Sequence, residues 1–437
     1  MNRHVLALLL RPGSGERSLI ALPLIAFGVV TTLVLTVIGG AQSFWTWTDE
    51  MAPIYQALAA IALVLLVVPL LSLGGAAARL SARRRDERLS TLRLLGVSPA
   101  GVTAATVIES VLLAGVGAAA GVLTYLAASP LIALIPFRGE ALGLAGVLLP
   151  PVQVSMVVLG VLLLAALSAV IGLRRVVISP LGVRMRSTVT TVHWIRAVIA
   201  VGVLAIAYAL ISVFPSVAGF VTTIVVLAGL FAAAIAVLNL LGPWILRVTA
   251  TAQLRRAERP DRLLAARTVL NSPKAAWRQI GGIAMASFIA VFAGTGVSLM
   301  NVMGAAEAEA QLAADMRTGL IITLIGSFLM VAASVGVNQA SDVLDQRELH
   351  RSLHHLGMPL DMVVRARRRA IMSPLLITAI GSAVCAGVLV FPLMGLALIT
   401  APESLLTIVA VVTAGIGIVW LTTRATRPLL ARSFASV

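Results

Sequence analysis

Charge is scarce in this chain of 437 residues: 11% of them are Asp, Glu, Lys or Arg, against about 25% in an ordinary soluble domain. With 59% of the residues hydrophobic, a water-soluble fold would have more apolar surface than interior in which to hide it, so a soluble globular protein is excluded. The single cysteine, Cys385, rules out an intrachain disulfide and, inside an apolar run, reads as packing. No G-x-x-x-x-G-K-[ST] stretch occurs, so the chain has no phosphate-cradling loop and is not by itself an ATP-hydrolysing enzyme. Nor does it carry a motif for a bound cofactor or metal.

What the chain does have is apolar runs long enough to cross a hydrocarbon core of roughly 30 Å as helices. Windows bounded by charges or turn residues predict spans at 18–40, 55–77, 102–128, 152–173, 195–214, 218–246, 279–300, 318–339, 371–397 and 404–423. The first lacks a small-residue cleavage pattern at its end and is expected to stay as a span. Only Phe214, Pro215 and Ser216 separate the fifth from the sixth, so a re-entrant hairpin also fits there. The expected fold class is all-α: a polytopic membrane protein of about ten transmembrane helices.

A net charge of +16 in a soluble protein would suggest nucleic acid, but here the positions of the charges decide. With the N-terminus inside, 31 of the 33 basic residues fall in cytoplasmic segments and only Arg138 and Arg317 fall outside. Acidic residues show no such bias. This is the positive-inside pattern; it predicts a multi-pass protein of the cell membrane with both termini cytoplasmic, lipid as a partner, and no nucleic acid. The segments expected outside, 41–54, 129–151, 301–317 and 398–403, are short. Trp45 and Trp47 follow the first span, where aromatic rings settle at the headgroup level.

Sliding the chain on itself by 261 residues pairs Glu87 with Glu348, Leu92 with Leu353, Leu95 with Leu356, Gly96 with Gly357 and Val102 with Val363; Leu9, Pro12 and Arg17 fall on Leu270, Pro273 and Arg278. One register fits both regions. The expected organisation is a first four-span repeat over 1–175, a two-span linker over 176–258 and a second four-span repeat over 259–437. The two linker spans leave both copies with the same orientation, a parallel pseudo-two-fold about the membrane normal.

The most distinctive stretch is Arg79 to Gly101, RLSARRRDERLSTLRLLGVSPAG. Leucines at helical spacing among charges predict an amphipathic helix, with Gly96 as its stop and Ser98-Pro99 as the restart of the next span. The second copy, Ser341 to Ala370, repeats this with Gly357 and Pro359. Basic residues, a Glu, Leu-Arg-x-Leu-Gly and then a span with an early Glu resemble the signature of FtsX-like permease domains, carried here by Arg84, Arg85, Glu87, Leu92, Arg93, Leu95, Gly96 and Glu109. The second copy departs from it with Ala370 at the position of the early Glu. Ala265 to Gln279 is similar to the amphipathic lead-in such permeases place before a first span. The duplicated layout is most similar to single-chain members that export or sense antimicrobial peptides.

The resemblance implies a permease subunit of an ABC transporter. A separate ATPase dimer, holding the ATP and Mg, would dock on two coupling helices, about 79–96 and 341–357. The docking residues would be Arg84, Arg85, Glu87, Arg88, Leu92, Arg93, Leu95 and Gly96 in the first copy, and Arg347, Glu348, Leu353, Leu356 and Gly357 in the second. MacB-type and bacitracin-exporter-type members insert a large extracytoplasmic domain after a span; the short outer segments here point instead to a hydrophobic or amphipathic substrate met in the membrane and moved outward, such as an antimicrobial peptide, a drug or a lipid-like molecule. Two rival readings stay open: a mechanotransmitter governing a cell-wall enzyme or sensor, and an ion-coupled secondary transporter. The second would need intramembrane ionisable groups, and Glu109 is the one carboxylate inside a predicted span. About 10 Å past Val102 at 1.5 Å per residue, it reads first as a structural residue within reach of the cytoplasmic interface. His350 and His354 share a helix face but lack a convincing third metal ligand, so they read with His355 as a solvated face. Gly115 to Gly121, GVGAAAG, is small enough for two helices to approach closely.

Overall fold

The computed structural model describes residues 17–83, 99–178, 202, 220–303, 307–345, 352, 355, 357–391 and 402–425. Backbone in lipid has no water to bond, so an apolar chain satisfies its N–H and C=O groups within helices. The elements are α1 (Arg17–Gln42), a 3-10 turn (Ser43–Thr46), α2 (Ala52–Arg83), α3 (Pro99–Ala133), β1 (Pro136–Phe137), β2 (Glu140–Ala141), α4 (Gly143–Val147), α5 (Pro151–Ile178), α6 (Phe220–Arg255), α7 (Pro260–Asn271), α8 (Pro273–Met303), α9 (Glu307–Asp345), α10 (Leu360–Leu389) and α11 (Pro402–Ala425). α3, α5, α7, α8 and α11 each open on a proline, at the one helical position where its missing N–H costs nothing. Among the described residues seven helices are long and apolar enough to cross a membrane, and the chain is a membrane protein of the all-α class.

The exposed faces say the same. On α3, Ile108, Leu112, Val116, Leu123 and Leu126 are exposed, while Ala114, Ala118 and Tyr125 are buried. α5 exposes Val152, Met156, Leu159, Leu163 and Leu167, and α10 exposes Leu376, Ile380, Val384 and Val388. Steps of three, four and seven residues make each set one helical stripe. A soluble protein does not carry several such stripes; here lipid covers them.

The helices fall into two compact units. Unit one holds residues 1–186 and 329–345; unit two holds 187–328 and 346–437. In unit one α1 pairs most closely with α3 through glycines. A Cβ at Gly117 would lie 2.7 Å from the Leu24 carbonyl oxygen, and one at Gly121 would lie 2.6 Å from that of Gly28. Only glycine admits backbones this near. Thr32 Oγ1 donates to the Gly121 carbonyl at 3.0 Å. Phe27, Leu73, Ala114, Ala165 and Met330 belong to the core that follows.

In unit two α8 is the central helix: residues 280–290 are buried without interruption, as expected for a helix apolar on every side. It packs against α10, α6 and α11, and α7 packs against α6 and α10. The Trp277 ring lies where a Cβ on Gly242 would be, 2.1 Å from the nearest ring atom, and Phe328 covers Gly415 in the same way. Trp277 Nε1 donates to Asn239 Oδ1 at 3.2 Å.

Several boundaries differ from the hydropathy windows. The span expected at 195–214 lies outside the described residues, Gly202 apart. The segment expected as an outer loop, 301–317, is helical from Glu307 onward: EAEAQLAADMR is rich in Ala, Glu, Gln, Leu and Met, strong helix formers whatever their polarity. Likewise α10 begins at Leu360, before the predicted 371, because Arg365, Arg367, Arg368 and Arg369 end an apolar window without ending a helix. The segment 129–151, expected outside, holds a hairpin with a two-residue turn and the short α4.

Candidate functional site

The residues expected to dock an ATPase fall mostly where nothing is described. Arg84, Arg85, Glu87, Arg88, Leu92, Arg93, Leu95, Gly96, Arg347, Glu348, Leu353 and Leu356 lie outside the described residues. Gly357 is described, with φ +82° and open space around its Cα. That left-handed conformation is the usual way a helix is stopped at a glycine. Pro359, extended at ψ 145°, then caps α10. In the stretch whose sequence was expected to match, Pro99 opens α3.

The start of α10 is fixed to α7. Arg369 pairs with Asp261, a carboxylate only 9% exposed, in the first turn of α7. Burying that carboxylate is tolerable because the guanidinium compensates it. Gln253 Nε2 on α6 donates to Ser373 Oγ on α10 at 2.6 Å. α7, α6 and the basic end of α10 are thus tied by polar contacts as well as packing. Ala265, Ala266 and Val269 form the buried face of α7, consistent with an amphipathic segment ahead of α8.

Glu109 sits ten residues into α3, about 15 Å from its start, and is half-buried. Ser110 Oγ beside it donates to the Thr106 carbonyl at 3.1 Å. His355 is exposed on a helical residue, while His350 and His354 lie outside the described residues. Among the described residues no group of three His, Cys, Asp or Glu side chains is placed to hold a metal.

No protein-family model and no curated protein matches this chain.

Two further sites surround Arg138 and Arg317, the basic residues that stood apart from the charge bias. Arg138-Gly139 is the turn between β1 and β2, with φ 56° and 79°, the both-positive geometry of a two-residue hairpin. The turn aims the Arg138 guanidinium onto Trp47 at 4.0 Å and Tyr55 at 4.5 Å from the ring centroids, a cation–π arrangement. Its Nη1 also bonds Asp49 at 3.0 Å. Phe44 stacks on Tyr55 and meets Trp47 and Phe137 edge-on. Trp47 is thus engaged by Arg138, while Trp45 stays half exposed. The Arg138 hydrogen bond holds the Asp49 carboxyl below its usual 3.8. The Arg-Gly pair was the available signal, but which rings it met was not readable.

Arg317 lies in α9, half-buried, and donates from Nη2 to Thr407 Oγ1 of α11 at 2.7 Å. It borders a cleft lined by Gly294 and Val297 of α8, Leu320, Ile321 and Leu324 of α9, and Val411. The space inside, about 10 Å³, holds about one water molecule.

Proposed function

We propose that this chain is the membrane permease subunit of an ABC-type transporter, coupling ATP hydrolysis by a separate ATPase to outward movement of a hydrophobic or amphipathic substrate. The observation that carries the reading is the paired sequence pattern of charged segment, glycine and proline. Arg84 to Gly96 precedes Pro99 at the head of α3, and Arg347 to Gly357 precedes Pro359 at the head of α10. Two such segments at equivalent places suit a two-fold partner. Helix pairing supports the duplication. The pairing of α1 with α3 has its counterpart in that of α8 with α10.

The ATPase binds as a dimer on one chain, because two internal copies supply both docking helices, and ATP and Mg reside in that partner. Both termini face the cytoplasm. Glu109 acts in packing near the interface rather than as the carrier of a coupled ion.

The test is to purify the full chain in mild detergent from its own membranes, identify what co-purifies, and compare ATP hydrolysis with that of the Glu87→Ala plus Glu348→Ala variant. A stoichiometric ATPase whose activity is lost or uncoupled in the variant is the expected result. An intact chain with no ATPase overturns the reading in favour of an ion-coupled transporter.

A further inference from the structure

We propose that the outer face of α7 docks on the headgroup layer of the membrane and prefers anionic phospholipid there, which makes α7 a lipid-held strap at the entrance of α8. Position comes first. Gln253, two residues before the end of α6, bonds Ser373, and Asp261, in the first turn of α7, pairs with Arg369. The junction of α6 and α7 therefore lies beside residues 369–373 of α10, where the basic run Arg365 to Arg369 gives way to a helix that exposes Leu376 and Ile380. That change from charge to apolar surface marks the edge of the hydrocarbon. At its other end α7 runs through Ser272 into α8, which exposes Lys274 and Arg278 before its buried apolar residues begin at Ile280. Both ends of α7, a helix about 18 Å long at 1.5 Å per residue, are thus at the membrane edge, and α7 lies along the interface rather than across it.

The make-up of its outer face fits lipid. Asp261, Ala265, Ala266 and Val269 are buried, on a helix packed against α6 and α10. Away from them, Arg259, Leu263, Arg267 and Leu270 follow one another at steps of four, four and three residues, one helical stripe. Leu263 is 44% exposed; Arg259, Arg262 and Arg267 are exposed and Leu270 is half-buried. Leucine and arginine on one stripe suit a helix that sets apolar side chains at the acyl boundary and carries its guanidinium groups up to the phosphates. A soluble acidic partner would account for the arginines and leave the leucines in water.

Charge supplies the selectivity. From Arg255 to Arg278 the chain has seven basic residues, all exposed, against two acidic ones, Glu258 and Asp261, and Asp261 is engaged by Arg369. Each Lys or Arg held at an anionic surface favours it by about fivefold. Anchoring of this kind holds α7, and through Ser272 the first turn of α8, at one depth. The reading holds whether or not the chain partners an ATPase.

The test uses the full chain carrying Cys385→Ser and Thr268→Cys, with a fluorophore on the introduced thiol beside the stripe. It is placed in bilayers of phosphatidylcholine with a minority of phosphatidylglycerol, one or the other brominated at the headgroup end of its acyl chains. Quenching by each lipid is expected to show phosphatidylglycerol enriched about fivefold or more next to the label at low ionic strength, and less as salt is raised. The combined Arg259→Gln, Arg262→Gln and Arg267→Gln variant brings the enrichment down to that of the bulk bilayer. Lysine at the same three positions keeps most of it, which separates lost charge from lost folding. The charge-matched Arg84→Gln, Arg85→Gln and Arg88→Gln variant leaves it unchanged. Leu263→Gln, which keeps every charge, weakens quenching by both lipids. Enrichment unchanged in the α7 triple variant overturns the proposal. Enrichment lowered equally by the changes at Arg84, Arg85 and Arg88 also overturns it, as general attraction to a basic chain. So does a label that neither lipid quenches and that aqueous acrylamide reaches as readily as in the unfolded chain, which would leave this face to an acidic protein.

Discussion

Replacing Gly121 with alanine separates close packing from every other account of the α1–α3 pair. The new Cβ would stand 2.6 Å from the Gly28 carbonyl oxygen and 2.7 Å from Thr31 Cβ, where ordinary contact begins at 3.4 Å. Both obstacles are backbone or β-carbon, so no flexible side chain can turn aside. The helices have to part by about 0.8 Å, and a gap of 0.5–1 Å forfeits roughly a quarter to a half of each contact's attraction. Overpacking of this kind costs about 1–3 kcal/mol, offset by about 0.5–1 kcal/mol from alanine's better helix propensity. Gly160 on α5 supplies the control, since a Cβ there meets nothing within 4 Å. Gly160→Ala gains the propensity and pays no overpacking, so the two variants should differ by about 1–3 kcal/mol, with Gly121→Ala the less stable. Reversible unfolding in mixed detergent–SDS micelles measures that difference. Equal stability of the two variants would refute the reasoning, because the same chemical change would then be blind to a clash present in one site and absent in the other.

Tyr125 is fully buried, donating to the Val147 carbonyl at 2.8 Å and accepting from the Leu149 amide at 3.0 Å; Tyr125→Phe leaves both backbone groups unpaired and should cost about 1–3 kcal/mol, read as a lower melting temperature in mild detergent. The Asp49–Arg138 pair has its sign set by a depressed carboxyl: its contribution is complete above the usual 3.8 and is lost as pH falls through the lower folded value. Amide exchange over 137–141 should therefore not reveal a loss of the pair between pH 7 and 5, whereas Asp49→Asn should speed exchange there at pH 7. Gly357→Ala forces a Cβ into left-handed backbone without any steric neighbour, at about 1–2 kcal/mol. Gly357→Asn should recover most of the stability and, on the proposed function, most of the ATPase coupling.

Much of the helical layout could be read in advance, because hydropathy windows respond to the property that lipid selects. Charge and helix ends are a different matter. Glu307 to Asp315 and Arg365 to Arg369 are polar yet helical, so windows that stop at charge stopped short of the helix. GVGAAAG announced a close approach, but Leu24, Gly28 and Thr31, which receive it, are marked only by their place on α1. Tyr125 and Trp277 carried no local signal, since what makes each matter is a partner far off in the chain: the Val147 carbonyl for one, the bare backbone of Gly242 for the other. For the docking residues the argument remains one of pattern, since all of them but Gly357 lie outside the described residues.

The Asp261–Arg369 pair gives unit two a yoke. α10 starts three residues beyond Gly357, so a displacement delivered just before that glycine enters α10 at its first turns. Arg369 is within those turns, and through Asp261 it holds the head of α7. α7 in turn runs into α8 across the single residue Ser272. A push applied at one point on the basic end of α10 is thus shared between two membrane-crossing helices, and cutting the ion pair would leave that sharing to apolar packing and the Gln253–Ser373 hydrogen bond.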